Sequence, residues 1–177
     1  MIRITGGKNR SRLLETPNTN LTKPTMDKVR SAVFNALGES IVNAKVLDLF
    51  AGSGSYGFES LSRGAKSVTF VEKGAEAISI IKKNSFNLKE NDIEIARSDV
   101  LDYLNSTEEK FDVVFADPPY KLEVYEELLK TLLERKIISE NGIIVLESEK
   151  ELNIEKDKFR DVRFYKYGLA KIYILRK

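Results

Sequence analysis

Lys45-Val46-Leu47-Asp48-Leu49-Phe50-Ala51-Gly52-Ser53-Gly54-Ser55-Tyr56-Gly57 is the stretch on which the fold turns. Residues 45–50 read as a short buried strand. A helical pattern begins shortly after it, with Tyr56, Phe58 and Leu61 as its apolar positions. Glycines at such a strand-to-helix turn let the backbone approach a ligand closely, and the helix N-terminus adds free N–H groups. Gly52, Gly54 and Gly57 match the dinucleotide fingerprint, and Glu72 ends the next strand about twenty residues on, where an acid can bind ribose hydroxyls. The pattern suits a nicotinamide or flavin site as well as an adenosine-containing cofactor such as S-adenosylmethionine. Asp48 tilts the choice toward the latter, because a carboxylate repels a pyrophosphate but helps to hold a cationic amino acid group. Its plainer alternative is a local loop cap.

Asp117-Pro118-Pro119-Tyr120 follows a second apolar run, residues 111–116. Prolines cannot continue a ladder, so the chain leaves the sheet there in a stiff turn. Such a turn frees backbone carbonyls, holds Asp117 as an acceptor and offers Tyr120 as a flat stacking surface. An exocyclic amine on a planar base needs those features. The bland reading is an ordinary turn opened by Asp-Pro.

Outward from these two stretches the chain alternates. Strands are predicted at 45–50, 67–72, 93–97, 111–116 and 142–147, with helices between them, clearest at 75–88 and 122–135. Apolar strands separated by helices imply a parallel sheet covered on both faces. Residues 162–167 and 171–175 break that rhythm, for the three residues between them permit only an antiparallel hairpin. A mostly parallel sheet ending in such a hairpin is the α/β, Rossmann-like arrangement of class I methyltransferases. Before it, residues 2–5 and 12–14 read as short strands around Gly6-Gly7, and residues 17–24 as a polar connection. A helix is expected after Thr25 as its N-cap, with Met26, Val29, Val33 and Leu37 at helical spacing and Gly38 at its end. This part is too small for its own core. The division expected is an extension, 1–40, packed on a methyltransferase unit, 41–177.

The net charge of +2 is unevenly spread over the 177 residues. Residues 1–30 carry seven cations (Arg3, Lys8, Arg10, Arg12, Lys23, Lys28, Arg30) against Glu15 and Asp27, about +5, leaving −3 for the other 147. A basic arm on a near-neutral domain suggests a polyanion such as RNA, or else a solvated charged surface. With no cysteine, a disulfide and methyl transfer through a cysteine adduct are unavailable. With no histidine either, no zinc site or histidine base is expected. No apolar run of about eighteen residues and no signal-peptide layout is present, so a cytoplasmic protein without membrane contact is expected.

Over essentially its whole length the chain resembles the RsmD family of bacterial 16S ribosomal RNA guanine-N2 methyltransferases. The pieces that match are Arg3-Ile4-Thr5-Gly6-Gly7 with Arg10 and Arg12-Leu13, Pro24-Thr25 with Asp27-Lys28-Val29-Arg30, Asp48 to Gly54, Asp117 to Tyr120, and Val145 to Glu149. The family usually has an aromatic residue and a glycine where this chain has Asn9 and Ser11, and an arginine at Lys23. The resemblance implies S-adenosylmethionine as donor. Asp48, Gly52 and Gly54 would lie at its methionine end, Glu72 at the ribose, and Asp99 with the Val100 N–H at the adenine, with Phe50 and Lys73 also binding the cofactor. It implies Asp117, Pro118, Pro119 and Tyr120 as the catalytic loop, and ribosomal RNA as partner, naked or in an assembled particle. We expect a monomer. Asp99 has a second reading as the N-cap of the segment after it.

Three other readings stay open on the residues alone. Adenine N6 is also an amino group on a planar base, and the same four residues would serve it. A nicotinamide-dependent oxidoreductase would leave Asp117–Tyr120 without a task. A non-catalytic nucleic-acid-binding domain would have no need of both prolines.

Overall fold

The computed structural model describes residues 1–17, 24–119 and 123–177, with only the backbone of Pro24 and Thr25. The expectations for Lys23 and Tyr120, and most of the polar connection, fall outside the described residues. Strand β1 (Ile2–Arg3) pairs antiparallel with β2 (Leu13–Leu14), and α1 (Pro24–Leu37) follows. The alternating part runs β3 (Lys45–Leu49), α2 (Ser55–Ser62), β4 (Ser67–Glu72), α3 (Ala75–Leu88), β5 (Ile93–Arg97), α4 (Val100–Ser106), β6 (Phe111–Ala116), α5 (Tyr125–Glu134) and β7 (Ile138–Ser148). The hairpin is β8 (Asp161–Tyr167) and β9 (Ala170–Arg176).

The main sheet has the order β5-β4-β3-β6-β7-β9-β8. Strands β3 to β7 pair in parallel, while β9 runs antiparallel to both β7 and β8. From β3 the chain winds outward to β5, then returns to the other side of β3 as β6. That reversal makes a crevice at the carboxyl ends of β3 and β6, where open α/β sheets bind ligands.

Alternation along the strands divides the core in two. Val46, Phe70, Val113, Phe115 and Val145 face α1, α2 and α3, while Leu47, Leu49, Val71, Val114 and Leu146 face α4 and α5. Each fully buried large side chain contributes about 1.5–3 kcal/mol by leaving water. Ile4 and Leu14 of the small hairpin, and Val29, Val33, Phe34 and Leu37 of α1, lie in the first of these layers. The extension therefore shares the sheet's core.

Several local expectations need correction. Helix α1 begins at Pro24, so Thr25 lies in the first turn and is not its N-cap; proline suits that position because its missing N–H would have no helical partner. Helix α5 starts at Tyr125, later than 122, with Val124 outside the helical conformation. Strand β7 begins at Ile138, four residues before 142. Through Asn141-Gly142 the chain stays in the sheet by a register shift opposite Phe111 and Val113. Met26 is exposed and Arg30 takes a buried place on α1 instead.

Candidate functional site

A cleft of about 300 Å³ opens at the crevice. Phe50 and Gly52 reach it from the end of β3, and Val71, Glu72 and Lys73 from β4. Ser98, Asp99 and Val100 reach it from the turn after β5, and Asp117, Pro118 and Pro119 from the end of β6. Four separate stretches of sequence converge there because their strands end on the same edge. Val71 and Ser98 were not anticipated. Their signal lay only in adjacency, each preceding an expected acid.

The turn after β3 is held from within the protein. Phe50 has φ 59°, a left-handed conformation costly for a bulky residue and frequent at functional sites. Gly57 is required by packing, since a Cβ there would lie 2.2 Å from the Phe70 ring. This brings α2 close to β4.

The three glycine amides of the turn are occupied. Gly52 N–H donates to Glu72 Oε2 at 2.9 Å, Gly57 N–H to Asp48 Oδ2 at 2.9 Å, and Gly54 N–H to the Ala51 carbonyl at 2.7 Å. Glu72 Oε1 accepts from the N–H groups of Lys73 and Gly74 at 2.9 and 2.8 Å. Glu72 is thus oriented by three backbone donors, and its oxygens retain capacity for further ones. Asp99 does cap α4, its Oδ1 accepting from Leu101 N–H at 3.0 Å, while Lys73 Nζ lies 3.4 Å from its Oδ2.

Asp48 and Gly54 do not line the cleft. Asp48 is buried beneath the turn, and burial, opposed by the Gly57 N–H and aided by the charge of Glu72, pushes its carboxyl up to about 8. Asp117 is raised well above the usual carboxylate range by burial, then by the charges of Glu147, Asp48 and Glu149. No donor among the described residues is bonded to it. Glu147 is raised by burial, against the pull of the Tyr56 hydroxyl and Arg30. The region is crowded with carboxyl groups that a bound cation would relieve.

The basic arm splits. Arg3, Lys8, Arg10, Arg12 and Lys28 are exposed. Lys8 meets the buried Glu90 at 2.9 Å, Arg12 donates to the Asn87 carbonyl at 2.7 Å, and Arg3 to the Ser11 carbonyl at 3.3 Å. Arg10 and Lys28 have no side-chain partner among the described residues. Arg30 is only 3 % exposed and bonds Glu59, Asp27 and the Arg3 carbonyl. Its expected place on the RNA surface is corrected: the guanidinium is consumed inside the protein, where no phosphate can reach it.

Glu59 is the anchor of the extension. It accepts from Thr5 N–H at 2.9 Å, Thr5 hydroxyl at 2.7 Å, Gly6 N–H at 2.9 Å, Arg30 Nε at 3.2 Å and Arg63 Nε at 2.8 Å. Two of the three departures from the family pattern also have structural accounts. Ser11 has φ 70°, a conformation natural to the usual glycine. Asn9 donates to Glu90 Oε1 at 2.7 Å, tying the hairpin loop to the end of α3.

Comparison with known proteins shows the family and the fold. The family described as Conserved hypothetical protein 95 matches residues 2–176. Ribosomal RNA small subunit methyltransferase D of Haemophilus influenzae is 39 % identical over 154 residues, covering 85 % of this chain and 80 % of that protein. Its namesake from Escherichia coli K12 is 36 % identical over 150 residues, 85 % of this chain and 76 % of that protein. The solved yhhF protein of Escherichia coli superposes with a TM-score of 0.89 at 32 % identity, over 99 % of this chain and 97 % of that one. The chain belongs to the Conserved hypothetical protein 95 family, the family of the ribosomal RNA small subunit methyltransferase D proteins.

Proposed function

We propose that this chain is an S-adenosylmethionine-dependent methyltransferase acting on the N2 amino group of a guanine in small-subunit ribosomal RNA. The observation that carries the cofactor reading is the state of the glycine turn. Its Gly52, Gly54 and Gly57 amides are taken by Glu72, the Ala51 carbonyl and Asp48, and among the described residues the charged groups of the cleft are Glu72, Asp99 and Asp117 with Lys73 beside Asp99. A pyrophosphate would meet acids and spent donors. A cationic ligand bearing a ribose meets acceptors. The nicotinamide reading is tested by thermal shift: S-adenosylhomocysteine is expected to raise the melting temperature and NAD to leave it unchanged, and the reverse result sinks the assignment.

The residues present fit this cofactor. Glu72 offers acceptors to ribose hydroxyls, Asp99 and the Val100 N–H suit the adenine edge, and Phe50, Gly52 and the buried Asp48 lie toward the amino acid end. When bound, the cofactor supplies a methyl group on a positively charged sulfur, activated enough that no strong base is needed beforehand. Asp117 and the Pro118 carbonyl accept the N–H groups of the target amine and aim its lone pair into the cleft. Pro118 and Pro119 hold that geometry, and positioning of this kind supplies much of the rate. Asp117 can take up the proton that the nitrogen sheds, since burial and the neighbouring carboxylates raise its proton affinity. Tyr120 is the residue assigned to stack on the base, which must leave its own stack to enter.

Glu72→Ala is expected to weaken cofactor binding roughly tenfold to a hundredfold, the worth of charge-assisted hydrogen bonds to a ribose. Calorimetry giving unchanged affinity would remove Glu72 from the ribose. The RNA surface is assigned to Arg3, Lys8, Arg10, Arg12 and Lys28, with Lys23. Replacing Arg10, Arg12 and Lys28 by alanine should leave cofactor affinity and melting temperature intact. It should also flatten the slope of log affinity against log salt by about 0.7 per lost phosphate contact on single-stranded RNA. A lower melting temperature with an unchanged slope would make these side chains structural. The reaction belongs in the cytoplasm, with the chain acting as a monomer on ribosomal RNA, naked or assembled.

A further inference from the structure

Glu147, in β7, and Asp117, just past the end of β6, stand side by side. Strands β6 and β7 pair in parallel with Ala116 opposite Leu146, so the next residue on each is one of these two acids. Alternation puts both on one face, because Phe115 and Val145, two residues earlier, both belong to the core layer under α1 and α2. Glu147 is also held firmly. Its Oε2 accepts from the Tyr56 hydroxyl at 2.7 Å, and its carbonyl accepts from the Tyr125 hydroxyl at 2.6 Å. The Tyr56 ring is itself stacked on Phe115 with centroids 4.8 Å apart. Oε1 has no partner among the described residues. Two neighbouring half-buried carboxylates repel each other, and Glu147 is the strongest of the charges acting on Asp117. A fold gains nothing from that contact, whereas a ligand with two adjacent donors would use both acids.

We propose that Glu147 is a specificity-determining acceptor for the target base, taking the N1–H of guanine while Asp117 takes the N2 amine. This rests on the guanine-N2 reading above. Guanine presents N1–H and its amine as adjacent donors on one edge. Adenine presents a bare N1 lone pair beside its amine, which would face a carboxylate. As positive charge develops on N2 the N1–H becomes a stronger donor, so the contact tightens in the transition state. Sites that hydrogen-bond a substrate N–H reject analogues lacking it more strongly than apolar pockets reject size differences.

The test compares RNA carrying guanosine at the methylated position with RNA carrying 2,6-diaminopurine there. The analogue keeps the 2-amine but has an acceptor at N1. Wild type should prefer guanosine by at least about a hundredfold in kcat/KM. Glu147→Gln can still accept from Tyr56 and can donate to N1, so it should narrow that preference by roughly tenfold or more, losing on guanosine and gaining on the analogue. The Kd ratio of the two RNAs, titrated without cofactor, should narrow in the same sense. Tyr56→Phe, which removes the hydroxyl alone, should keep the wild-type ratio. If Glu147→Gln does not fold, Glu147→Ala reads the same ratio. A ratio unchanged in the Glu147 variants, with active wild type, overturns the role of Glu147 alone. Wild type that leaves guanosine unmethylated overturns the guanine-N2 reading, and this inference with it.

Discussion

Asp117→Ala is expected to lower turnover by about 10²-fold or more while leaving cofactor affinity within a few-fold. The carboxylate lies at the end of β6 and is the proposed acceptor for the reacting amine, and an acceptor lost at the reacting group acts mainly in the transition state. The stability of the variant separates this from a structural role. Asp117 is raised well above the ordinary value of 3.8, so the folded chain binds more protons than the unfolded one above that pH. Its contribution to stability therefore falls as pH rises from about 4 toward the raised folded value. Removing the group deletes that loss. Asp117→Ala and Asp117→Asn should unfold at the same or higher denaturant concentration than wild type at pH 8. Near-normal turnover would sink the assignment, and a large loss of stability would make Asp117 a structural residue.

Glu59→Ala is expected to destabilise the fold by about 3–5 kcal/mol, the usual cost of breaking one side of a buried ion pair. Glu59 is fully buried and Arg30 is 3 % exposed, so the loss strands a guanidinium and leaves the Thr5 and Gly6 amides without their acceptor. Against a total stability of about 5–15 kcal/mol for an ordinary domain, that is a large fraction. Burial would raise the pKa of Glu59, but the Thr5 N–H, Arg63, the Thr5 hydroxyl and Arg30 outweigh it and hold it below the usual 4.5. A depressed folded pKa means that this stabilisation is present above pH 4.5 and is lost as pH falls through the folded value. Urea midpoints for wild type and Glu59→Gln should therefore converge on acidification. Pairing Glu59→Ala with Arg30→Met should recover part of the loss, because no buried charge is then stranded. A single variant with an unchanged midpoint would contradict the anchoring role.

The contrast between these two acids explains what could be read from the chain. Asp117 announces itself through neighbours in sequence: an apolar run before it and two prolines after it. Residues 67–72, 93–97 and 111–116 were legible as strands, and 75–88 as a helix, for the same reason, since each pattern is complete within its own segment. Arg30 was misread because a cation in a basic segment looks the same whether its partner is a phosphate or an acid 29 residues away. Glu59 carries no local signal at all; it stands among the apolar positions of α2, and its five donors come from β1's exit, α1 and Arg63. Glu147 acquires meaning only from strand register, which sets it beside Asp117, thirty positions earlier in the chain. Likewise Asn141-Gly142 has turn chemistry, and only the sheet's tolerance of an irregularity opposite Phe111 keeps it in β7.

Incubating the purified chain with S-adenosylmethionine and small-subunit ribosomal RNA, free and in assembled particles, then digesting the RNA to nucleosides for mass spectrometry, tests the central claim most directly. A single new nucleoside, N2-methylguanosine, formed by wild type and lost with Asp117→Ala, is the expected result. N6-methyladenosine in its place, or no methylated nucleoside from either form of the RNA, would contradict it.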